Sequence, residues 1–135
     1  MKDRRLYVPR GKCLGGSGSI NAMIYVRGQA QDFNDWAAAG NPNWAYDQVL
    51  PYFNQLEQHP LGPSKYHGAS GPIGIAPMHH DAHAICKPYI QATKELGLRQ
   101  SDDFNEAQFE GAGIYEANIR NGRRDPSYTA CFKAH

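Results

Sequence analysis

Apolar residues recur at helical spacing in three stretches of the chain. From Ala30 to Ala39, Phe33, Trp36 and Ala37 fall at i, i+3 and i+4, with Asp32 in the first turn and Gly40 at the stop. That arrangement predicts a short amphipathic helix. After the turn chemistry of Asn41-Pro42-Asn43, a second stripe runs through Tyr46, Val49, Leu50, Phe53 and Leu56. Pro51 lies inside it and lacks a backbone donor, which predicts a bend or break between 47 and 51. The third stripe is Ile85, Tyr89, Ala92 and Leu96, closed by Gly97 where a left-handed cap would end it, with Pro88 in the early turns. All three stripes read as core, and Trp36 and Trp44 as packing residues.

Between the helical stretches the pattern shortens. Ile73 and Ile75, within the run from Gly71 to Pro77, point the same way as a strand whose prolines suit an edge. The β-branched and aromatic residues between Gly113 and Arg120 lead into Asn121-Gly122, the signal of a tight type I′ turn, with Arg123 and Arg124 read as its solvated charges. Ala22 to Val26 is apolar and too short to show a period. Residues 59 to 70 form a long loop, and residues 127 to 135 suit the start of a further helix.

Composition narrows the class. The chain's 135 residues suit one unit, and no internal repeat or linker divides it. Fourteen basic against thirteen acidic side chains give a net charge of +1, which argues against a nucleic-acid or polybasic membrane partner. An apolar fraction of 41% supports a folded core, while 14 Gly and 9 Pro call for many turns. The expected fold is α+β and loop-rich, with three to four helices and a few short strands. Cys13, Cys86 and Cys131 are odd in number and far apart, which suits reduced thiols. No apolar run is long enough to span a bilayer, and Met1 to Pro9 is too short for a signal segment, so a soluble, cytoplasmic chain is expected.

Two segments hold candidate chemistry. The run Leu14-Gly15-Gly16-Ser17-Gly18-Ser19-Ile20-Asn21 is either a turn-forming loop or a cradle whose bare N–H groups and small hydroxyls approach a ligand's phosphates. Neither standard phosphate motif is satisfied: Asn21 stands where the dinucleotide fingerprint needs its third glycine, and Cys13 follows Gly11-Lys12 where a P-loop needs Ser or Thr. His79, His80 and His83, with Asp81 among them, have ligand spacing but no further partner, so they read as a solvated histidine-rich helix start, and no metal is expected. His67 reads as a loop residue satisfied by backbone groups.

The string from Pro9 through the glycine run to Tyr25-Val26-Arg27-Gly28, followed by Asp32-Phe33 and Trp36, resembles the first signature of the glucose-methanol-choline family of flavin oxidoreductases. The resemblance continues in order through Trp44-Ala45-Tyr46-Asp47 with Leu50-Pro51-Tyr52-Phe53, Tyr66-His67-Gly68 with Gly71-Pro72-Ile73, Asp103-Phe104-Asn105 with Gly111-Ala112-Gly113, and Asn121-Gly122-Arg123-Arg124. Beyond Arg124 it holds only with a gap.

The resemblance implies that residues 1–28 form an FAD-contacting signature loop and residues 29–135 helices and short strands, together one internal portion of a longer enzyme. Gly15 and Gly16 would permit close backbone approach and Ser17 would offer a hydroxyl. The amide of Asn21 with the backbone of Ala22, Met23 and Ile24 would face the isoalloxazine region. Ile20 stands where some members carry a histidine bonded to the flavin, so non-covalent FAD is implied. Gly18 replaces a usual hydroxyl residue. The implied reaction is oxidation of a small alcohol, in the choline or aliphatic alcohol dehydrogenase branch. The upstream dinucleotide motif and the downstream catalytic histidine are both expected outside this chain, which leaves no catalytic residue here. Apolar faces at 24–26 and 114–119 would then lie uncovered and promote self-association. A non-catalytic remnant or small interaction module is the alternative reading.

Overall fold

The computed structural model describes residues 5–132. The reading of the N-terminus at Met1 to Arg4, and the last part of the helix expected over 127–135, lie outside them. Three α-helices are joined by long irregular segments and by three two-stranded ladders: β1 (Ile24–Tyr25), α1 (Ala30–Ala38), α2 (Tyr46–Leu56), β2 (Glu57–Gln58), β3 (Ile73–Gly74), α3 (Cys86–Glu95), β4 (Glu116–Ala117), β5 (Ile119–Arg120) and β6 (Arg123–Arg124). The architecture is the mixed, loop-rich α+β one that the sequence predicts.

Helix α1 starts where Asp32 Oδ2 accepts the Gln29 backbone N–H at 2.8 Å, satisfying a donor that the helix itself cannot. Its buried residue, Phe33, meets Trp36 and Phe53 edge-on at ring separations of 5.4 and 5.6 Å. Such T-shaped contacts set the positive ring edge against the negative face. Trp36 in turn packs edge-on against Trp44 at 5.7 Å. Phe33 in this cluster and Leu50 on α2 are the buried apolar residues of the N-terminal half.

Helix α2 corrects the expected break: it runs without interruption from Tyr46 to Leu56. Pro51 costs the helix one bond, to the carbonyl of Asp47, and both residues are exposed, so that carbonyl is open to solvent. Helix α3 corrects another. Its half-buried residues are Cys86, Ile90 and Thr93, whereas Ile85, Tyr89 and Leu96 are 64%, 67% and 82% exposed. The apolar stripe read as core therefore faces outward. The α3 ending does follow the sequence, with Gly97 at φ 85°.

The ladders are short but bridge distant parts of the chain. β1 pairs antiparallel with β4, Ile24 opposite Ala117 and Tyr25 opposite Glu116. β2 pairs parallel with β3, and Ala76 bridges to Ala117. Only β5 and β6 are a local hairpin, turning on Asn121 and Gly122 at φ 50° and 70° as the Asn-Gly signal requires. The single strand expected from Ile114 to Ile119 is instead the two short strands β4 and β5. Residues Tyr128–Phe132 close the described chain as one helical turn. No helix among the described residues is long and apolar enough to cross a membrane.

Candidate functional site

The glycine run folds as a tight turn with an open outer surface. Gly15 and Gly16 both adopt left-handed backbone, at φ 85° and 55°. They differ in surroundings. A Cβ on Gly15 would overlap Ser19 Oγ and press on Tyr128, so that glycine is required by the loop's own packing. A Cβ on Gly16 would meet no atom within 4 Å and would project into open space. Ser17 Oγ accepts the Gly11 N–H at 3.1 Å, which occupies one lone pair and leaves the hydroxyl proton to be offered elsewhere. Ser19 is used internally, donating to the Leu14 carbonyl at 2.8 Å.

After the turn, Asn21 Oδ1 accepts the Met23 N–H at 3.0 Å and holds Met23 at φ 62°. A non-glycine residue there is strained, by about 1–2 kcal/mol. Arg124 Nη1 donates to the same Oδ1 at 2.8 Å and to the Asn21 carbonyl at 2.7 Å. With its oxygen doubly engaged on the protein side, the Asn21 amide leaves its NH2 without an acceptor among the described residues. Arg124 is thus half-buried and bound, not the solvated turn charge that the sequence suggests. Ala22 and Ile24 are exposed beside it and Met23 half-buried. A cleft of about 210 Å³ opens between the loop and the β5–β6 hairpin, lined by Gly18, Asn21, Met23, Ile73, Arg124 and Pro126 among others.

Behind this surface lies a buried chain of charges that sequence reasoning did not assemble. Arg27 follows β1 and is 7% exposed, and its Nη2 donates to Glu57 Oε2 at 2.7 Å. Glu57, wholly buried, also accepts the Gly68 N–H at 2.9 Å and His67 Nδ1 at 3.0 Å. The other ring nitrogen of His67 lies 2.6 Å from Asp103 Oδ2. Asn105 closes the circuit by accepting the Arg27 backbone N–H at 2.8 Å. Beside it, His59 stacks on His67 at 4.1 Å and bonds Glu116 at 2.9 Å.

The protonation of this cluster follows from its contacts. Burial opposes charge on His67, but the hydrogen bonds to Asp103 and Glu57 and their negative charges prevail, raising it to about 9. Burial likewise pushes Glu57 upward, and the bonds from His67 and Gly68 with the Arg27 charge hold it below the usual carboxylate range. Asp103 is lowered against its burial by His67 and by the Asn105 N–H. Tyr25, whose hydroxyl meets the Arg27 guanidinium, is raised by burial, with Arg27 opposing.

At neutral pH His67 is therefore an imidazolium donating both protons to carboxylates. This corrects the reading of His67 as a loop histidine satisfied by backbone groups. It also leaves His67 no lone pair for a metal. His79, His80 and His83 lie exposed in the segment before α3. The described residues that bring three ligand-type atoms within 4.8 Å are instead Glu57, His59 and His67, and His59, Asp103 and Glu116, with their atoms largely bonded to one another. The recoverable signals are the Tyr66-His67-Gly68 and Asp103-Phe104-Asn105 motifs, which supply the adjoining members His67 and Asp103 of this network.

The chain resembles known proteins along nearly its whole length. A family model described as GMC oxidoreductase matches residues 1–135. The chain is 40% identical over 133 residues, 98% of its length, to the oxygen-dependent choline dehydrogenase of Rhizobium etli (strain CIAT 652), and covers 24% of that protein. It is 38% identical over 135 residues to the mitochondrial choline dehydrogenase of Mus musculus, covering 22% of it. The chain thus spans about a quarter of the length of these curated relatives. Among solved structures, pyridoxine 4-oxidase from Mesorbium loti superposes with a TM-score of 0.84 at 35% identity, over 93% of this chain and 25% of that one. An FAD-dependent oxidoreductase from Chaetomium thermophilum superposes with a TM-score of 0.82 at 25% identity, over 94% and 24%.

Proposed function

Because this chain belongs to the GMC oxidoreductase family, we propose that it forms the flavin-facing loop and its supporting shell in an enzyme that oxidises a small alcohol with FAD. The observation that carries this reading is the outer surface of the loop. Gly16 leaves space for a close neighbour, and the exposed Asn21 keeps its amide NH2 free of any acceptor among the described residues. These free valences fit a flavin dinucleotide, which offers oxygen acceptors along its chain and carbonyl and nitrogen acceptors on its ring. The names of relatives that act on choline, and of a neighbour that is FAD-dependent, support the same reading.

Within it, the bare backbone at Gly16 admits the cofactor closely through its open side, while Gly15, packed against Ser19 and Tyr128, lets the turn form. The Ser17 hydroxyl donates its free proton, and Asn21 Nδ2 donates to a heteroaromatic edge. The backbone of Ala22, Met23 and Ile24 lines the ring region. FAD held here would supply the hydride acceptor for alcohol oxidation. Ile20 offers only carbon and hydrogen, so this loop holds the cofactor by contacts without a covalent bond. The Arg27–Glu57–His67–Asp103 chain keeps β1, and the loop entering it, in one position. Choline or an aliphatic alcohol is the substrate class of the branch.

Flavin content tests the proposal in the whole protein that carries this sequence. Gly16→Val fills the open side, and Asn21→Leu removes the amide. Each is expected to weaken FAD retention about tenfold or more, as loss of a buried polar contact does. Wild-type flavin content in both variants would take this loop out of the cofactor site.

A further inference from the structure

Asn21 is held from the far end of the chain. Arg124 lies 103 residues away, yet one of its nitrogens donates to both the backbone carbonyl and the side-chain oxygen of Asn21, at 2.7 and 2.8 Å. A side-chain amide on an exposed loop is free to rotate by half a turn, exchanging its oxygen for its nitrogen. Two donors on the same Oδ1, the Arg124 guanidinium and the Met23 N–H, forbid that exchange, because a flipped amide would set its NH2 against both. The guanidinium's charge makes the preference stronger than a neutral donor would.

Arg124 is itself fixed by the hairpin that carries it. The Asp125 N–H donates to the Asn118 carbonyl at 3.0 Å, and the Asn118 N–H to the Met23 carbonyl at 2.8 Å. Asp125 Oδ2 accepts the Gly74 N–H and Arg120 Nε, each at 2.9 Å. The hairpin is therefore stitched to β3 on one side and to the loop on the other. Arg124 reaches Asn21 from a rigid base, which is the condition for holding a group in one orientation.

We propose that Arg124 is a positioning residue for the cofactor, setting the Asn21 amide with its NH2 outward and locking the loop backbone from Asn21 to Met23. The proposal rests on the reading of this loop as flavin-facing. It assigns Arg124 a role that acts through Asn21, and it couples the hairpin to cofactor recognition.

A double-mutant cycle in the FAD-loaded whole protein separates the two ideas. FAD dissociation and the flavin's visible circular dichroism are measured for Arg124→Ala, Asn21→Leu, the double variant and Arg124→Lys. Arg124→Ala is expected to weaken FAD about tenfold and to alter the flavin dichroism. In the Asn21→Leu background the same change is expected to cost clearly less, since no amide remains to be oriented and only the bond to the residue-21 carbonyl is lost. Arg124→Lys, which retains a charged donor, is expected to restore most of the affinity and the dichroism.

If Asn21→Leu holds FAD as wild type does, the flavin-facing reading itself fails, and this proposal with it. If Asn21→Leu weakens FAD but Arg124→Ala does not, or if the two effects multiply fully, the positioning role is overturned while the loop reading stands. Arg124→Gln serves where Arg124→Ala does not fold, and its effect must likewise shrink in the Asn21→Leu background.

Discussion

His67 Nε2 lies 2.6 Å from Asp103 Oδ2, and this one bond joins the loop after α2 to a segment 36 residues further along the chain. The opposite nitrogen of the same ring meets Glu57, so a single imidazolium spans two carboxylates in the interior. Few arrangements commit a protein so plainly to one protonation state, and the stability of this fold should report it.

The sign of the pH dependence follows from the directions of the shifts. His67 is raised from 6.5 to about 9 in the folded chain, so its contribution is fully present below pH 6.5 and is lost as pH climbs towards 9. Glu57 and Asp103 are lowered, so theirs is present above the ordinary carboxylate range and is lost on acidification. Thermal unfolding measured across pH should show a plateau between these limits, with a fall on the alkaline side between 6.5 and 9. In His67→Gln that alkaline fall should disappear; a fall of the same size would assign it elsewhere.

Removing the carboxylate at the centre should cost more than removing any single surface charge. Glu57→Gln leaves Arg27 and His67 buried without their shared counter-charge, and breaking one partner of such a buried set costs about 3–5 kcal/mol. Urea unfolding would read this directly. A loss under about 1 kcal/mol, the range of an exposed pair, would show that water reaches the cluster.

Gly122 at φ 70° closes the hairpin that carries Arg124. Gly122→Val places a β-branched residue in left-handed backbone and should destabilise the turn by about 1–2 kcal/mol. Amide exchange should then speed at Ile119 to Arg124 while the Phe33 cluster keeps its protection. Uniform acceleration across the chain would mean that the hairpin unfolds only with the whole.

The exposed stripe of α3, with Ile24 at 51% exposure on β1, leaves apolar surface of the kind that drives association. The chain expressed by itself should therefore sediment as a concentration-dependent mixture, and Tyr89→Glu or Ile24→Lys should shift it towards monomer. A concentration-independent monomer in the unsubstituted chain would refute this.

Local pattern was enough for much of the fold. Phe33 and Leu50 are core because helical spacing puts them on one face, and Asn121-Gly122 turns because few other pairs tolerate two left-handed residues. The stop at Gly97 was equally legible. The run of motifs from Pro9 to Arg124 identified the family. In these cases the deciding interaction lies within a few residues, so it leaves a period or a signature in the sequence.

Only the tertiary structure decided the rest. Periodicity ranks faces by hydrophobicity but does not say which face finds a neighbour, so α3 was assigned its outward stripe as core. Glu57 at the end of an amphipathic helix and Arg27 after an apolar strand look like ordinary solvated charges. Their burial depends on partners 30 residues apart, His67's on Asp103 at 36, and Arg124's hold on Asn21 on a separation of 103. A charge is stable in the interior only when its partner arrives with it. That pairing belongs to the way the chain closes on itself, and no local pattern records it.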